Sequence, residues 1–285
     1  MLRTRFAPSP TGLMHSGNAF SAIQCEQWAK ANQAELLLRI EDIDFTRCRP
    51  ELAVQMIDDL QWLGISFDGE IIYQQQRLHL YQHALETLIK KGVLYPCFCT
   101  RKEVQESLLN IATQQQEALD HYPGTCKKMS KKERALRMGQ EPYSWRMDMQ
   151  AVADRIQQPL CWVDMEGNKF DVDLSLVGDV IIGRKDIQYS YHLAVVVDDN
   201  AQRITHVIRG EDLRTSTDVH RILQYLLDYE PPIYQHHVLV KDTQGDRLAK
   251  TKQSLTLKAI RESGVTATEF RSKLIQKGLL KNSPF

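Results

Sequence analysis

The sequence predicts an α/β fold in which a parallel sheet is interrupted by an inserted polar subdomain and followed by a short C-terminal extension. Three observations carry this. First, a compact strand, a Pro- and Gly-rich turn, an amphipathic helix and a second apolar strand follow one another at the start of the chain, the opening order of a parallel sheet with covering helices. Second, from Cys97 to about Leu176 the chain turns polar and carries a basic cluster at Lys127, Lys128, Lys131, Lys132 and Arg134. Third, strand-like runs return at Asp179–Ile182, Ala194–Val197 and Arg203–Ile208 to complete the sheet. With 285 residues there is room for one large domain and a smaller insertion. The expected division is a split sheet domain (1–96 and 177–245), an insertion (97–176) and an extension (246–285).

In order, Arg3–Ala7 reads as a strand ended by the turn cluster Pro8-Ser9-Pro10-Thr11-Gly12. A helix from about Gly17 to Ala31 places Phe20, Ile23, Trp28 and Ala31 on one side. Glu35–Ile40 reads as a buried strand, and helices centred on Val54–Leu63 and His79–Lys91 continue the pattern. The first turn lies at the carboxyl edge of the sheet, where such folds bind ligands. There Gly12 and Gly17 allow the backbone close to a phosphate or sugar. The helix that follows presents N–H groups to an anion, and His15 is placed to donate to a phosphate oxygen as charge develops. Strand alternation sends Arg39 and Glu41 to one face and Asp42 to the other. A carboxylate at such a strand end holds an ammonium group by a charge-assisted bond. Arg5 and Arg209 are guanidinium forks matched to a carboxylate, and Tyr191 adds a hydroxyl donor.

Composition limits the partners. Lys plus Arg and Asp plus Glu both number 36, so a nucleic acid would meet a local basic patch rather than a cationic protein. The basic cluster reads either as such a patch or as a solvated helix face. No apolar run reaches the roughly 18 residues of a membrane span, and MLRTRFAPSPTG has no apolar segment behind it to make a secretion signal. Six cysteines are too few for a disulfide scaffold, which favours a reducing compartment, with the cytoplasm expected. Three of them, Cys97, Cys99 and Cys126, suit a tetrahedral zinc, with His121 and Tyr122 competing for the fourth position. Cys25, Cys48 and Cys161 read as packing residues. The 35 residues after Lys250 are too few for another independent domain.

Four strings then carry a family resemblance. RFAPSPTGLMHSGN looks like the HIGH-motif region of class I aminoacyl-tRNA synthetases in its glutamyl form, and RIEDID, YSYHLAVVVDD and IRGEDL follow in that family's order. GDRLAKTK stands at the place of the KMSKS loop, with Lys250 aligned to its second lysine; Arg247, Ala249 and Thr251 depart from that pattern. CFCTR and YPGTC resemble the zinc pattern of the glutamyl-Q tRNA(Asp) synthetases, across a longer spacer, and Val195 stands where discriminating glutamyl-tRNA synthetases carry Asn.

The resemblance implies a class I synthetase Rossmann-like sheet with an inserted zinc-binding, acceptor-type subdomain and no anticodon-binding domain. It implies glutamate binding by Arg5, Ser9, Glu41, Tyr191 and Arg209. ATP would be held by Pro8, Thr11, Gly12, His15, Gly17, Asn18, Arg247 and Lys250, with His15 and Lys250 catalytic. It further implies one structural Zn²⁺ on Cys97, Cys99, Tyr122 and Cys126, Mg²⁺ with ATP, and transfer of glutamate to queuosine in the tRNA(Asp) anticodon stem-loop, with no membrane and no protein partner. Two rival expectations stand beside it: a truncated glutamyl-tRNA synthetase charging tRNA(Glu), and a non-catalytic RNA- or nucleotide-binding paralogue.

Overall fold

In the computed structural model, which describes residues 1–115, 122–240 and 256–276, the chain opens with β1 (Arg3–Phe6), α1 (Ser16–Ala31), β2 (Glu35–Ile40), α2 (Pro50–Trp62), β3 (Ile72–Tyr73) and α3 (Leu78–Lys90). These strands form a parallel sheet in the order β1-β2-β3. The chain continues through β4 (Leu94–Cys97), α4 (Arg101–Gln115), α5 (Lys131–Met138), β5 (Ser144–Met147), α6 (Met149–Ala153), β6 (Cys161–Val163), β7 (Lys169–Asp171) and α7 (Leu174–Val177). Then come β8 (Ile181–Arg184), β9 (Gln188–Tyr189), α8 (Tyr191–Ala201), β10 (His206–Gly210), α9 (Ser216–Leu227), β11 (Ile233–His237), α10 (Leu257–Glu262) and α11 (Ala267–Gln276). Strands β10 and β11 pair in parallel and lie beside β1. The Thr205 N–H donates to the Arg3 carbonyl at 3.0 Å, and the Cys25 thiol reaches the carbonyls of both Arg5 and Ile208 at 3.7 Å. The carboxyl ends of β1, β2 and β10 therefore share one edge.

Two expectations fail here. Ala194–Val197 is not a strand but the middle of α8. Ser190 caps that helix, its side-chain oxygen accepting from the Leu193 N–H at 3.3 Å, and Leu193 through Val197 are all buried. A run apolar on every side fits a buried helix as well as a buried strand, and periodicity does not separate them. The predicted strand at 179–182 exists as β8 but does not complete the parallel sheet. It joins an antiparallel sheet in the order β4-β5-β8-β9. Only three residues connect β8 to β9, which permits a hairpin and forbids a parallel crossover. That antiparallel sheet draws strands from both sides of residues 97 and 177. The β6–β7 hairpin, also within 97–176, docks on the edge of the parallel sheet, where the Met165 N–H donates to the Tyr234 carbonyl at 3.1 Å.

One core fills the space between β1, β2, α1 and α2 and includes Leu257, Phe270 and Leu274, so the C-terminal helices pack on the sheet. The Arg271 guanidinium anchors them to the Leu63 carbonyl (3.0 Å) and the Glu26 carboxylate (2.7 Å). A second core joins α3, α8 and α9. No helix among the described residues is long and apolar enough to cross a membrane.

Candidate active site

The shared strand edge opens onto a cleft of about 460 Å³ lined by Arg5, Pro8, Ser9, His15, Gly17, Asn18, Glu41, Tyr191 and Arg209, among others. Nine of the residues predicted to hold glutamate or ATP thus face one space. Thr11 lines an adjoining cavity of about 290 Å³ that shares Ser9, Glu41 and Tyr191 with the cleft; Gly12 lines neither. Arg247 and Lys250 lie outside the described residues. The described residues flanking them both border the site: Val240 lines the cleft, and Thr256 bridges His15 while the Leu257 N–H donates to the Met14 carbonyl at 2.8 Å.

His15 is the N-cap of α1. Its Nδ1 accepts from the Gly17 N–H at 3.0 Å, and the Asn18 side-chain oxygen accepts from the His15 N–H at 3.1 Å. This reciprocal box keeps the imidazole proton on Nε2, the nitrogen left to donate; burial lowers the ring's pKa, favouring the neutral form. The reason for Gly17 is also local. A Cβ there would lie 2.9 Å from the His15 ring, so glycine makes room for the histidine first. The Gly17 N–H, expected to meet an anion, is already used by that ring.

Beneath the cleft lies a charge network. Arg39 is fully buried and reaches Asp199 (2.8 Å), Gln202 (2.7 Å) and Glu41 (3.1 Å). Arg5 donates to both oxygens of the same Asp199, at 3.0 and 3.5 Å. Alternation along β2 does bring Arg39 and Glu41 to one face, while the Asp42 carboxylate turns away to accept from the Gln75 N–H at 2.9 Å. Burial opposes ionisation of Asp199, but Arg5 and Arg39 outweigh it and hold its pKa below the usual value. Burial dominates at Glu41 and raises its pKa despite Arg39 and Arg5. Next along α8, Asp198 receives Gln74 (3.0 Å), Arg77 (2.6 Å) and Tyr81 (2.7 Å), tying the helix to α3. The roles of Asp198 and Asp199 were not read from the sequence. The available signal was an acid doublet directly after a run of buried-type residues.

Arg209 has different surroundings. Its guanidinium donates to Thr217 Oγ1 at 2.8 Å, His220 Nδ1 at 3.1 Å and His236 Nε2 at 3.4 Å, and stands 5.3 Å from the centre of the Tyr234 ring. Each partner is neutral: among the described residues Arg209 forms no ion pair, whereas Arg5 in the same cleft has Asp199. A guanidinium cannot accept, so both histidines present lone pairs to it. His220 then donates through Nε2 to His192 Nδ1 at 3.2 Å. Burial first, then the Arg209 charge, lowers the pKa of His192 to about 4 and that of His236 to about 3. Tyr191 faces the same space, its pKa raised by burial.

Away from the cleft, the sulfurs of Cys97, Cys99 and Cys126 lie within 4.8 Å of one another. The Tyr122 hydroxyl is 3.4 Å from Cys99 Sγ and accepts from the Cys126 N–H at 2.9 Å. Sulfur ligands about 2.3 Å from a zinc stand roughly 3.8 Å apart, and Cys99 and Cys126 stand at 3.5 Å. The donor set and its spacing fit a tetrahedral zinc, with Tyr122 beside the sulfurs; His121 lies outside the described residues. Arg146 supports the group, its Nε donating to Cys97 Sγ at 3.2 Å and its guanidinium 3.9 Å from the centre of the Tyr122 ring. The basic cluster divides. Lys127 pairs with Asp148 at 2.6 Å and Arg134 donates to the Lys127 carbonyl, while Lys128, Lys131 and Lys132 are exposed.

Residues 1–283 match the family model of class I tRNA synthetases (E and Q), catalytic domain. The chain belongs to the class I tRNA synthetases of this E and Q type and, within them, to the family of glutamyl-Q tRNA(Asp) synthetases. It is 39% identical to the glutamyl-Q tRNA(Asp) synthetase of Rhodobacter capsulatus over 94% of this chain and 98% of that protein. It is 38% identical to the one from Nitratidesulfovibrio vulgaris, over 96% of this chain and 85% of that one. Its fold matches the crystal structure of a glutamate tRNA ligase from Elizabethkingia meningosepticum in complex with its amino acid, at a TM-score of 0.73 and 26% identity. That match covers 93% of this chain and about half (53%) of the ligase.

Proposed function

We propose that this protein activates L-glutamate with ATP and passes the glutamyl group to the queuosine base in the anticodon stem-loop of tRNA(Asp). The observation that carries the reading is Arg209, a buried guanidinium whose partners among the described residues are all neutral, facing a cleft that also holds Glu41 and His15. The glutamate side-chain carboxylate supplies the counter-charge Arg209 lacks, and Arg5 and Tyr191 complete that end. Glu41 and Ser9 receive the α-ammonium. The α-carboxylate oxygen then attacks the α-phosphorus of ATP, and pyrophosphate leaves. His15 Nε2 donates to the phosphate oxygens, steadying the charge that grows there. Pro8, Thr11, Gly17 and Asn18 shape the nucleotide side, with Arg247 and Lys250 clamping the phosphates. In the second half-reaction the acyl carbon moves from AMP to the queuosine base. Catalysis here is positioning and charge stabilisation, and no general base is assigned.

Mg²⁺ would accompany ATP and offset the charge of its phosphates, and Cys97, Cys99, Tyr122 and Cys126 would hold one structural Zn²⁺. The names of the relatives and the match of the fold to a glutamate tRNA ligase support this reading; the cytoplasm is the proposed compartment. Glutamate-dependent ATP–pyrophosphate exchange, followed by incubation with labelled glutamate and purified tRNAs, tests it. Label on queuosine-containing tRNA(Asp) is expected. Label on tRNA(Glu) alone would identify a truncated glutamyl-tRNA synthetase, and no exchange at any enzyme concentration a non-catalytic binding protein.

A further inference from the structure

We propose that His220 and His236 are specificity-determining positioning residues, which hold Arg209 through lone pairs instead of through charge and so leave its positive charge for an acidic side chain of the substrate. The inference rests on the glutamate reading above and deepens it. Its basis is a contrast inside one cleft. Arg5 and Arg209 are both buried and both line the space, yet Arg5 shares a carboxylate with Arg39 whereas Arg209 is held by two imidazoles and a hydroxyl. Buried guanidinium groups are ordinarily matched by acids, because an unpaired buried charge is costly. Geometric support without neutralisation makes Arg209 the group that responds to the charge of the ligand. An amide in place of the substrate carboxylate leaves that charge unpaired, which is how a polar pocket rejects a near-isostere.

The hydrogen-bond network fixes each ring. His220 takes the Arg209 N–H at Nδ1 and passes its own Nε2–H to His192. His236 Nε2 accepts from Arg209 and from the Thr217 hydroxyl, so its proton sits on Nδ1. The charged groups around them keep both rings neutral. His220 is faced by Arg209, Arg5, His192 and His236 and is lowered well below the ordinary histidine value, first by burial. His236 is faced by Arg209, Arg214 and His237, and the more weakly acting Asp164 opposes them.

The chemistry selects the test. An Asn oxygen replaces His Nδ1 at position 220, and a Gln oxygen replaces Nε2 at 236; Asp and Glu put a charge at the same points. Glutamate and glutamine are compared as substrates in ATP–pyrophosphate exchange, with folding followed by circular dichroism. His220→Asn should keep the glutamate KM within about 3-fold, whereas His220→Asp should raise it at least about 30-fold, with kcat moving less and the glutamate-to-glutamine preference shrinking. The pair His236→Gln and His236→Glu should behave alike, and serves if His220→Asp fails to fold. Equal KM losses in the neutral and charged variants, or a charged variant that keeps the wild-type KM, overturn the inference. So does a wild-type glutamate KM that rises below pH 7 with a histidine-like midpoint lost in His220→Asn, a readout needing no charged variant. Wild-type protein that activates no glutamate overturns the underlying reading as well, an outcome distinct from either result in an active enzyme.

Discussion

Around the cleft, Arg5, Arg39, Glu41 and Asp199 are buried beside a core whose members run from Phe6 to Leu274, whereas Cys97, Cys99 and Cys126 cluster at a core with Tyr95 and Phe98 as its further buried members among the described residues. In the cleft, opposite charges satisfy one another and a large apolar mass fixes the helices and strands that carry them. The cysteine region has a smaller described core, with Met129, Met138 and Tyr143 packed against it, and small cores of this kind commonly draw on metal bonds. Charge pairing therefore organises one region, and the other places three sulfurs and a phenol side by side.

The sharpest way to break this comparison is to chelate the proposed zinc. About one zinc per chain is expected by elemental analysis. Chelation should speed amide exchange at Phe98, whose N–H donates to Cys126 Sγ at 3.4 Å, by at least about 100-fold. The Arg5–Asp199 region should keep its protection. Loss of protection in both regions, or in neither, would end the distinction. Next in size, Asp199→Ala takes the shared carboxylate from Arg5 and Arg39 and should cost about 3–5 kcal/mol in urea unfolding, with zinc content unchanged.

Arg209→Ala tests function instead of stability. It should lower kcat/KM for glutamate activation by about 30- to 1,000-fold while leaving the melting temperature close to wild type. A similar loss from Arg203→Ala, on the exposed surface, would remove Arg209 from the pocket. The pH dependence has opposite signs at the two buried acids. The depressed pKa of Asp199 adds stability that is present at neutral pH and lost as pH falls through its folded value. The raised pKa of Glu41 means the folded protein favours its protonated form, and the stability this contributes at low pH is lost as pH rises through its folded value. The α-ammonium needs Glu41 ionised, so glutamate affinity should increase with pH through the acid range, with proton release on binding in calorimetry. Binding that is independent of pH there would place the ammonium elsewhere. The smallest effect expected is for Ser190→Ala, which loses the α8 cap and about 1 kcal/mol; no change would show that packing alone holds α8.

Where signals were local, the sequence was informative. Two-residue alternation correctly put Arg39 with Glu41, and of the residues read from the turn after β1, His15 and Gly17 line the cleft whereas Gly12 does not. It misread Ala194–Val197, where the decisive local sign was the Ser190 cap four residues earlier and not the apolar run itself. It placed β8 in the wrong sheet because strand partners are chosen over distances that periodicity does not report.

By itself the sequence determined the strand–turn–helix–strand opening, the order of the charged motifs and the spacing of the sulfur donors, since each depends on residues close together in the chain. Only the tertiary structure decided that Asp199 neutralises Arg5 while Arg209 is held by Thr217, His220 and His236, with no counter-charge among the described residues. Those partners come from α8, α9 and β11, and packing alone brings them within hydrogen-bond reach of strands β1 and β10.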